Sequence, residues 1–414
     1  MPMVHQKRLL FPLFLPGGCF FLVFFLILQT NSEKTMAQTP ANQHNQPDVF
    51  PFYIGTYTES GFPGKGVYRA TLDAKTGALS SPELVFECRA PAFLIRHPQK
   101  PVLYAVGETW DPDKGPVYAF RIAPETGHLT QISEITVSGT GPTHLCIDSR
   151  WDGEALIVAC YGSGNVVALP ILPDGSLGEQ TCSVKHVGSG PNPSRQQEPH
   201  PHGAYSAENL IFIPDLGMDK VMMYRLDHQT GTLSPNQQPF IAMPPGSGPR
   251  HLAFSPREIW KNGAKTIYVV NELNSTVCRV VADDKGCFEV VQTVSTLPEG
   301  KKDAAKPSDE QKNWTAEIVV HPSGRFVYVS NRGDDSIAVF QVDQTSGTLR
   351  FLETEPTRGK TPRNIAISPD GAFLLAANQD SNSVFCFRID SESGRLHPLG
   401  DGIEVGAAVC ITFE

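Results

Sequence analysis

The chain has 414 residues, 40% of them hydrophobic and 19% charged, which is ample for a sizeable core. A formal net charge of -9, with no basic stripe anywhere, argues against non-specific nucleic-acid binding. Nine cysteines stand singly, with no CxxC and no Cys/His zinc spacing, which argues against a disulfide framework or a structural zinc site.

At the N-terminus, Lys7 and Arg8 precede an apolar run from Leu9 to Leu28, and polar residues follow. A charged segment before an apolar one is the pattern of a signal peptide or signal-anchor, here spanning residues 1–37 with Thr35-Met36-Ala37 as an imperfect cleavage site. The expected location is therefore outside the cytoplasm, periplasmic or tied to a membrane by the leader alone. A translation start at Met36 would give a cytoplasmic protein instead. Cys19, after Pro16-Gly17-Gly18, is a weak lipoprotein signal because the apolar run continues past it. Residues 38–49 read as a disordered linker. Residues 50–414 read as one repeat domain, expected to be a monomer or weak dimer.

From there on the sequence repeats. A tight-turn signature, Gly followed two residues later by an apolar side chain, recurs at Gly77, Gly127, Gly175, Gly231, Gly286, Gly347 and Gly394, spaced by 47 to 61 residues. Seven apolar strands run out of phase with it: FYIGTY, LYAVGE, LIVACY, IFIPDL, IYVVNE, VYVSNR and LLAANQ. A third series precedes these strands but has only six copies there: PAFLIRHP, PTHLCIDS, PHGAYSAE, PRHLAFSP, TAEIVVHP and PRNIAISP. The seventh appears at the far end, as AAVCITFE. A four-stranded unit repeated seven times predicts an all-β, seven-bladed β-propeller. The displaced last strand predicts that residues 407–414 close the ring by joining the N-terminal blade. Trp151-Asp152 does not recur, so this is not a WD40 array.

In such a blade the start of the inner strand and the end of the second strand share one face. Aligning the repeats puts His144, His202 and His251 in one column at the start of the inner strand, with Arg250 and Arg363 one residue earlier. Asp215 lies in the column at the end of the second strand, followed by the column that holds Glu272 and Arg332. The hydrophilic insertions at 188–199 and 298–313 should overhang the same face and wall a pocket. The ionisable residues concentrate in blades four to six, as a single site requires and a uniform scaffold does not. His202 and Glu272 are candidate bases, and Arg250, Arg332 and Arg363 suit an anionic group or a developing oxyanion. Several rim residues have a plainer reading, though Arg250 and Glu272 are harder to explain that way. Any of the three histidines could bond a neighbouring blade, Asp215 could cap a turn, and Asn271, Asn331 and Asn378 read better as turn-closing residues. A metal cage of His, Asp and Glu is disfavoured because the arginines would repel a cation.

FYIGTYT, GVYRATLD, HPHGA, PDLGMDKVMMY, GPRHLAF and NELNST resemble the seven-bladed propeller lactonases, a family with 6-phosphogluconolactonases and carboxy-cis,cis-muconate cyclases. The resemblance covers about residues 50–414. It implies metal-free and cofactor-free chemistry on a small anionic lactone. It places a catalytic set on His202, Arg250, Glu272 and Arg332, with Arg363 the rival for the last role; the rim reading adds His200, Asp215, His251, Arg363 and His144 as expected substrate contacts. It leaves His202 and Glu272 open as the base. Lactone hydrolysis, most like that of 6-phosphogluconolactonase, is the leading expectation. A muconate-type cyclase and a non-catalytic binding scaffold, the latter suggested by the YVVN and YVSN repeats, are the alternatives. An export leader fits poorly with a phosphorylated intracellular substrate.

Overall fold

The computed structural model describes residues 48–414 except 60, 112–114, 151–152, 257–265, 284 and 302–312. The leader, most of the linker, Trp151-Asp152 and much of the second insertion lie outside the described residues. The first strand begins at Val49. Seven four-stranded antiparallel sheets follow one another, each running inner to outer in chain order. The inner strands of blades two to seven are Pro91–Arg96, Pro142–Arg150, Tyr205–Ala207, Pro249–Phe254, Trp314–Val320 and Pro362–Ile367. Blade one takes its inner strand, Ala408–Phe413, from the other end of the chain; it pairs with Val49–Thr56, so the ring closes as the repeat count predicts.

The second strands read as unbroken apolar runs because both of their faces are covered. Along each, successive side chains point to opposite neighbours. Phe52 and Ile54 pack against blade seven, whereas Tyr53 packs against blade two. Seven apolar clusters result, each filling one seam between adjacent blades. The eight described cysteines are free, and Cys146, Cys160, Cys278, Cys386 and Cys410 are buried among these side chains.

The two out-of-phase series in the sequence prove to be physical partners. The phenol of Tyr53 donates to the carbonyl of Gly127, the turn glycine of the next blade, at 2.8 Å. Tyr104 does the same to Gly175, Tyr268 to Gly347 and Tyr328 to Gly394, at 2.8 to 2.9 Å. All seven turn glycines have φ between 67° and 87°, the left-handed region that a Cβ disfavours. Where the tyrosine is replaced by Ile157, Phe212 or Leu375, the bond is missing; Thr181 supplies one to Gly231 in its place.

Removing one of these phenols leaves a buried carbonyl unpaired. Tyr328→Phe should lower the unfolding free energy by about 1–2 kcal/mol without changing the fold. Denaturant titration followed by circular dichroism checks this, with Phe212, which makes no such bond, as a neutral site for comparison.

Candidate active site

Near one end of the channel each inner strand carries one extra residue, a β-bulge that turns a side chain toward the axis. The pairing of the strands identifies it as Ala92, Thr143, Arg250, Ala316, Arg363 and Val409 in six blades. In blade four, the bridge from Pro201 to Asp215 and the bond from His202 N–H to the Pro214 carbonyl make His202 the extra residue. His202 therefore shares a column with Arg250 and Arg363, not with His144 and His251 as the sequence alignment expected. Gly203 takes the histidine place, because a Cβ there would lie 2.6 Å from the ring of Tyr205.

The residue after each second strand is held over these bulges by its backbone. Glu272 N–H, for example, donates to the Gly248 carbonyl at 2.7 Å. Its buried carboxylate is the hub of the site. Oε1 accepts from Arg195 Nη2 at 2.6 Å; Oε2 accepts from Arg332 Nη2 at 2.7 Å and from Arg250 Nε at 3.1 Å. Burial alone would raise the Glu272 pKa. Arg332, Arg195 and Arg250 together outweigh it and hold the carboxylate well below the usual range. Arg250 also donates to the Ala316 carbonyl at 2.9 Å, and Arg332 to that of Thr315 at 2.9 Å. Burial pushes Arg332 down to about 10, so it stays charged at neutral pH, and its Nε has no partner.

His202 Nε2 lies 4.0 Å from Glu272 Oε2, and its buried Nδ1 is without a hydrogen-bond partner. Burial, then Arg250 and His251, push its pKa well below the ordinary value, so the ring is neutral at pH 7. Arg363 and Glu108 line the same cavity as Arg250 and His251. Arg363 Nη2 stands 3.6 Å from Glu108 Oε2, which accepts from the Tyr57 phenol at 2.7 Å.

Below the bulge level, His251 Nδ1 lies 2.9 Å from Glu317 Oε1, and Asn364 donates to Oε2 at 2.7 Å. His144 packs against Phe93, with ring centroids 3.8 Å apart and the planes tilted by 31°, and accepts from Ala204 N–H. His144 is thus a packing residue of the channel, and His251 a strut under Arg250. Asp215 is fully buried; its carboxylate takes the His200 and Gly217 N–H groups and lies 2.6 Å from His186 Nδ1. His200 stacks on Tyr161 and reaches that residue's carbonyl. Both brace the neighbourhood of His202 rather than line the cavity. The structure brings together His202, Arg250, Glu272 and Arg332, with Arg363 at the cavity beside them. Asn271, Asn331 and Asn378 are buried and bonded to nearby turn and strand groups. Among the described residues no three His, Cys, Asp or Glu side chains are grouped to hold a metal ion.

Sequence reasoning missed Arg195. It sits in the 188–199 insertion, whose place over the site was expected, but no repeat position marks it. Buried Gln196 pins that loop, donating to the Leu216 carbonyl and to Asp219.

Residues 51–413 match the family described as Lactonase, 7-bladed beta-propeller. The chain belongs to this family. It is 36% identical over 315 residues to the 6-phosphogluconolactonase of Bacillus subtilis, covering 75% of this chain and 83% of that protein. A 6-phosphogluconolactonase of Formosa agariphila is 30% identical over 319 residues, covering 76% and 85%. Among solved structures, the periplasmic gluconolactonase of Pseudomonas aeruginosa superposes with a TM-score of 0.79 at 32% identity, over 88% of this chain and 99% of that one. Membership makes hydrolysis of a sugar lactone the reaction class for the cavity.

The channel histidines give the fold an acid limit. Burial lowers the pKa of His144, His202 and His251 below 6.5. As pH falls through about 6.5 the unfolded chain takes up protons first, so stability present above that pH is lost below it, by up to ~1.4 kcal/mol per pH unit for each ring. Glu317, raised by burial, opposes this only near its own titration. Urea unfolding between pH 7.5 and 5.5 should show the decline, and His144→Gln should make it shallower by about one ring's share.

Proposed function

We propose that this protein opens the ring of a sugar 1,5-lactone with water, using His202 as the base and no metal ion. What supports this is the contrast between Glu272 and His202. A carboxylate with both oxygens filled by three arginines holds a proton poorly, whereas a neutral imidazole beside it has an unpartnered nitrogen. The lone pair of His202 takes a proton from water as the water oxygen attacks the lactone carbonyl. Arg250 and the unused Nε–H of Arg332 face the negative charge that forms on the carbonyl oxygen. The imidazolium is balanced by Glu272, 4.0 Å away. As the ring C–O bond breaks, His202 returns the proton to the leaving oxygen and the product is a hydroxy acid. Glu272 thus anchors three arginines in place, and the excess positive charge around it supplies the electrophile.

His202→Asn should lower kcat on glucono-1,5-lactone and 6-phosphoglucono-1,5-lactone by about 10²–10⁴-fold, and wild-type turnover should be insensitive to EDTA. Retention of more than a tenth of the activity in that variant would sink the assignment. Glu272→Gln should release the arginines and cost activity too, with a rise in KM that His202→Asn does not show.

We also propose that the protein works outside the cytoplasm. The leader pattern of residues 1–37 supports this, as does the likeness to a periplasmic gluconolactonase. Expressed in full, it should be recovered from the exported fraction, and sequencing its mature N-terminus tests whether residues near Ala37 are the first retained. A soluble cytoplasmic product beginning at Met36 would overturn this location.

A further inference from the structure

The half of the rim away from Glu272 is built from different chemistry. Arg363 is the one arginine of the cavity that donates no hydrogen bond among the described residues. Its guanidinium stands over the Tyr57 ring at 5.1 Å, and its nearest carboxylate oxygen, Glu108 Oε2, is 3.6 Å away. Glu108 uses that oxygen for the Tyr57 phenol, and its Oε1 accepts no hydrogen bond from the described residues. Burial raises the Tyr57 pKa, so the phenol remains a donor. Tyr57 in turn packs on Phe62, 5.2 Å away and 40% exposed. A donor fork, an acceptor oxygen and an aromatic ring therefore stand side by side.

We infer that Glu108, Arg363 and Tyr57 form the subsite for the non-reacting end of the substrate, and that this subsite reads the hydroxyl groups of an uncharged sugar chain and disfavours a phosphate. A hydroxyl gives a proton to Glu108 and accepts one from Arg363, so a neutral polyol satisfies both side chains at once. A phosphate monoester is mostly doubly ionised at neutral pH and rarely has such a proton to give. It gains Arg363 but brings two like-charged groups together at Glu108, in a cavity too closed for water to screen them. The aromatic ring suits the C–H face of a sugar. Arg195, Arg250 and Arg332 are engaged by Glu272, so in the proposed mechanism their surplus charge serves the carbonyl oxygen and the product carboxylate rather than this subsite, although Arg250 lines the same cavity. The inference rests on the lactonase reading of the cavity and names the substrate class within it: an unphosphorylated sugar lactone.

The test measures kcat/KM for glucono-1,5-lactone and for 6-phosphoglucono-1,5-lactone with the full chain and with Glu108→Gln, which keeps an acceptor for Tyr57. Wild type should favour the unphosphorylated lactone by about tenfold or more, and the substitution should narrow that ratio by at least about fivefold. Calorimetric binding of gluconate and 6-phosphogluconate gives the same comparison without turnover. Preference of wild type for the phosphorylated partner in both measurements, or an unchanged ratio in a Glu108→Gln protein with normal circular dichroism, would overturn the inference while leaving the hydrolase intact. Absence of turnover on either lactone, with gluconate still preferred in binding, would remove the hydrolase reading and keep the subsite.

Discussion

Everything in this molecule depends on the second strand of each blade being covered on both faces. Such a strand cannot exist at the end of a row, because one of its faces would meet water. The seven seams are therefore a single demand met seven times, and only a closed ring meets it everywhere. The inter-blade tyrosine bonds fix the angle of one blade against the next. The bulges then bring one residue from each blade to a common axis. The site is a by-product of that closure: seven inward positions, most filled blandly, and three taken by His202, Arg250 and Arg363.

Burying Glu272 would be costly alone, since a carboxylate out of water is stabilised only by close partners. Arg195, Arg250 and Arg332 come respectively from an insertion between blades three and four, from blade five and from blade six, so the hub also ties distant parts of the chain together. The same contacts that keep the charge in place make Glu272 unreactive as a base. Structural and chemical needs thus divide the labour between two neighbours, one permanently charged and one kept neutral.

Much of this was legible in the sequence, for physical reasons. Turn glycines and apolar strands recur because each blade solves the same packing problem, so their count gave the architecture and the closing strand. The rim columns located His202, Arg250, Glu272 and Arg332 because the repeat fixes which residues face the axis. The one-residue slip at His202 arose where Gly203 stands in place of the bulky residue found in other blades, since a missing side chain leaves no mark in an alignment of side chains. Arg195 was illegible because it lies in an insertion outside the repeat, where no column marks a residue as facing the site. Tyr57 and Glu108 occupy the same repeat position as Glu272 and Arg332, but their mutual hydrogen bond depends on the angle between blades one and two, which the sequence does not encode locally.

The closing strand also sets the order in which the molecule can assemble. Six blades are built from consecutive residues and can form by local pairing. Blade one cannot, because Val49–Thr56 must wait for Ala408–Phe413, across almost the whole described chain. Bringing those segments together carries the largest loop-closure entropy in the fold, which favours closing that blade after the locally paired ones. Until then an apolar strand waits with its inner edge open, the kind of edge on which chains aggregate. Pro51 lies on that strand with its carbonyl toward the closing strand, and having no N–H it removes one donor from the waiting edge. A residue that looks out of place in the finished sheet thus leaves one donor fewer on the strand whose partner lies farthest away in the chain.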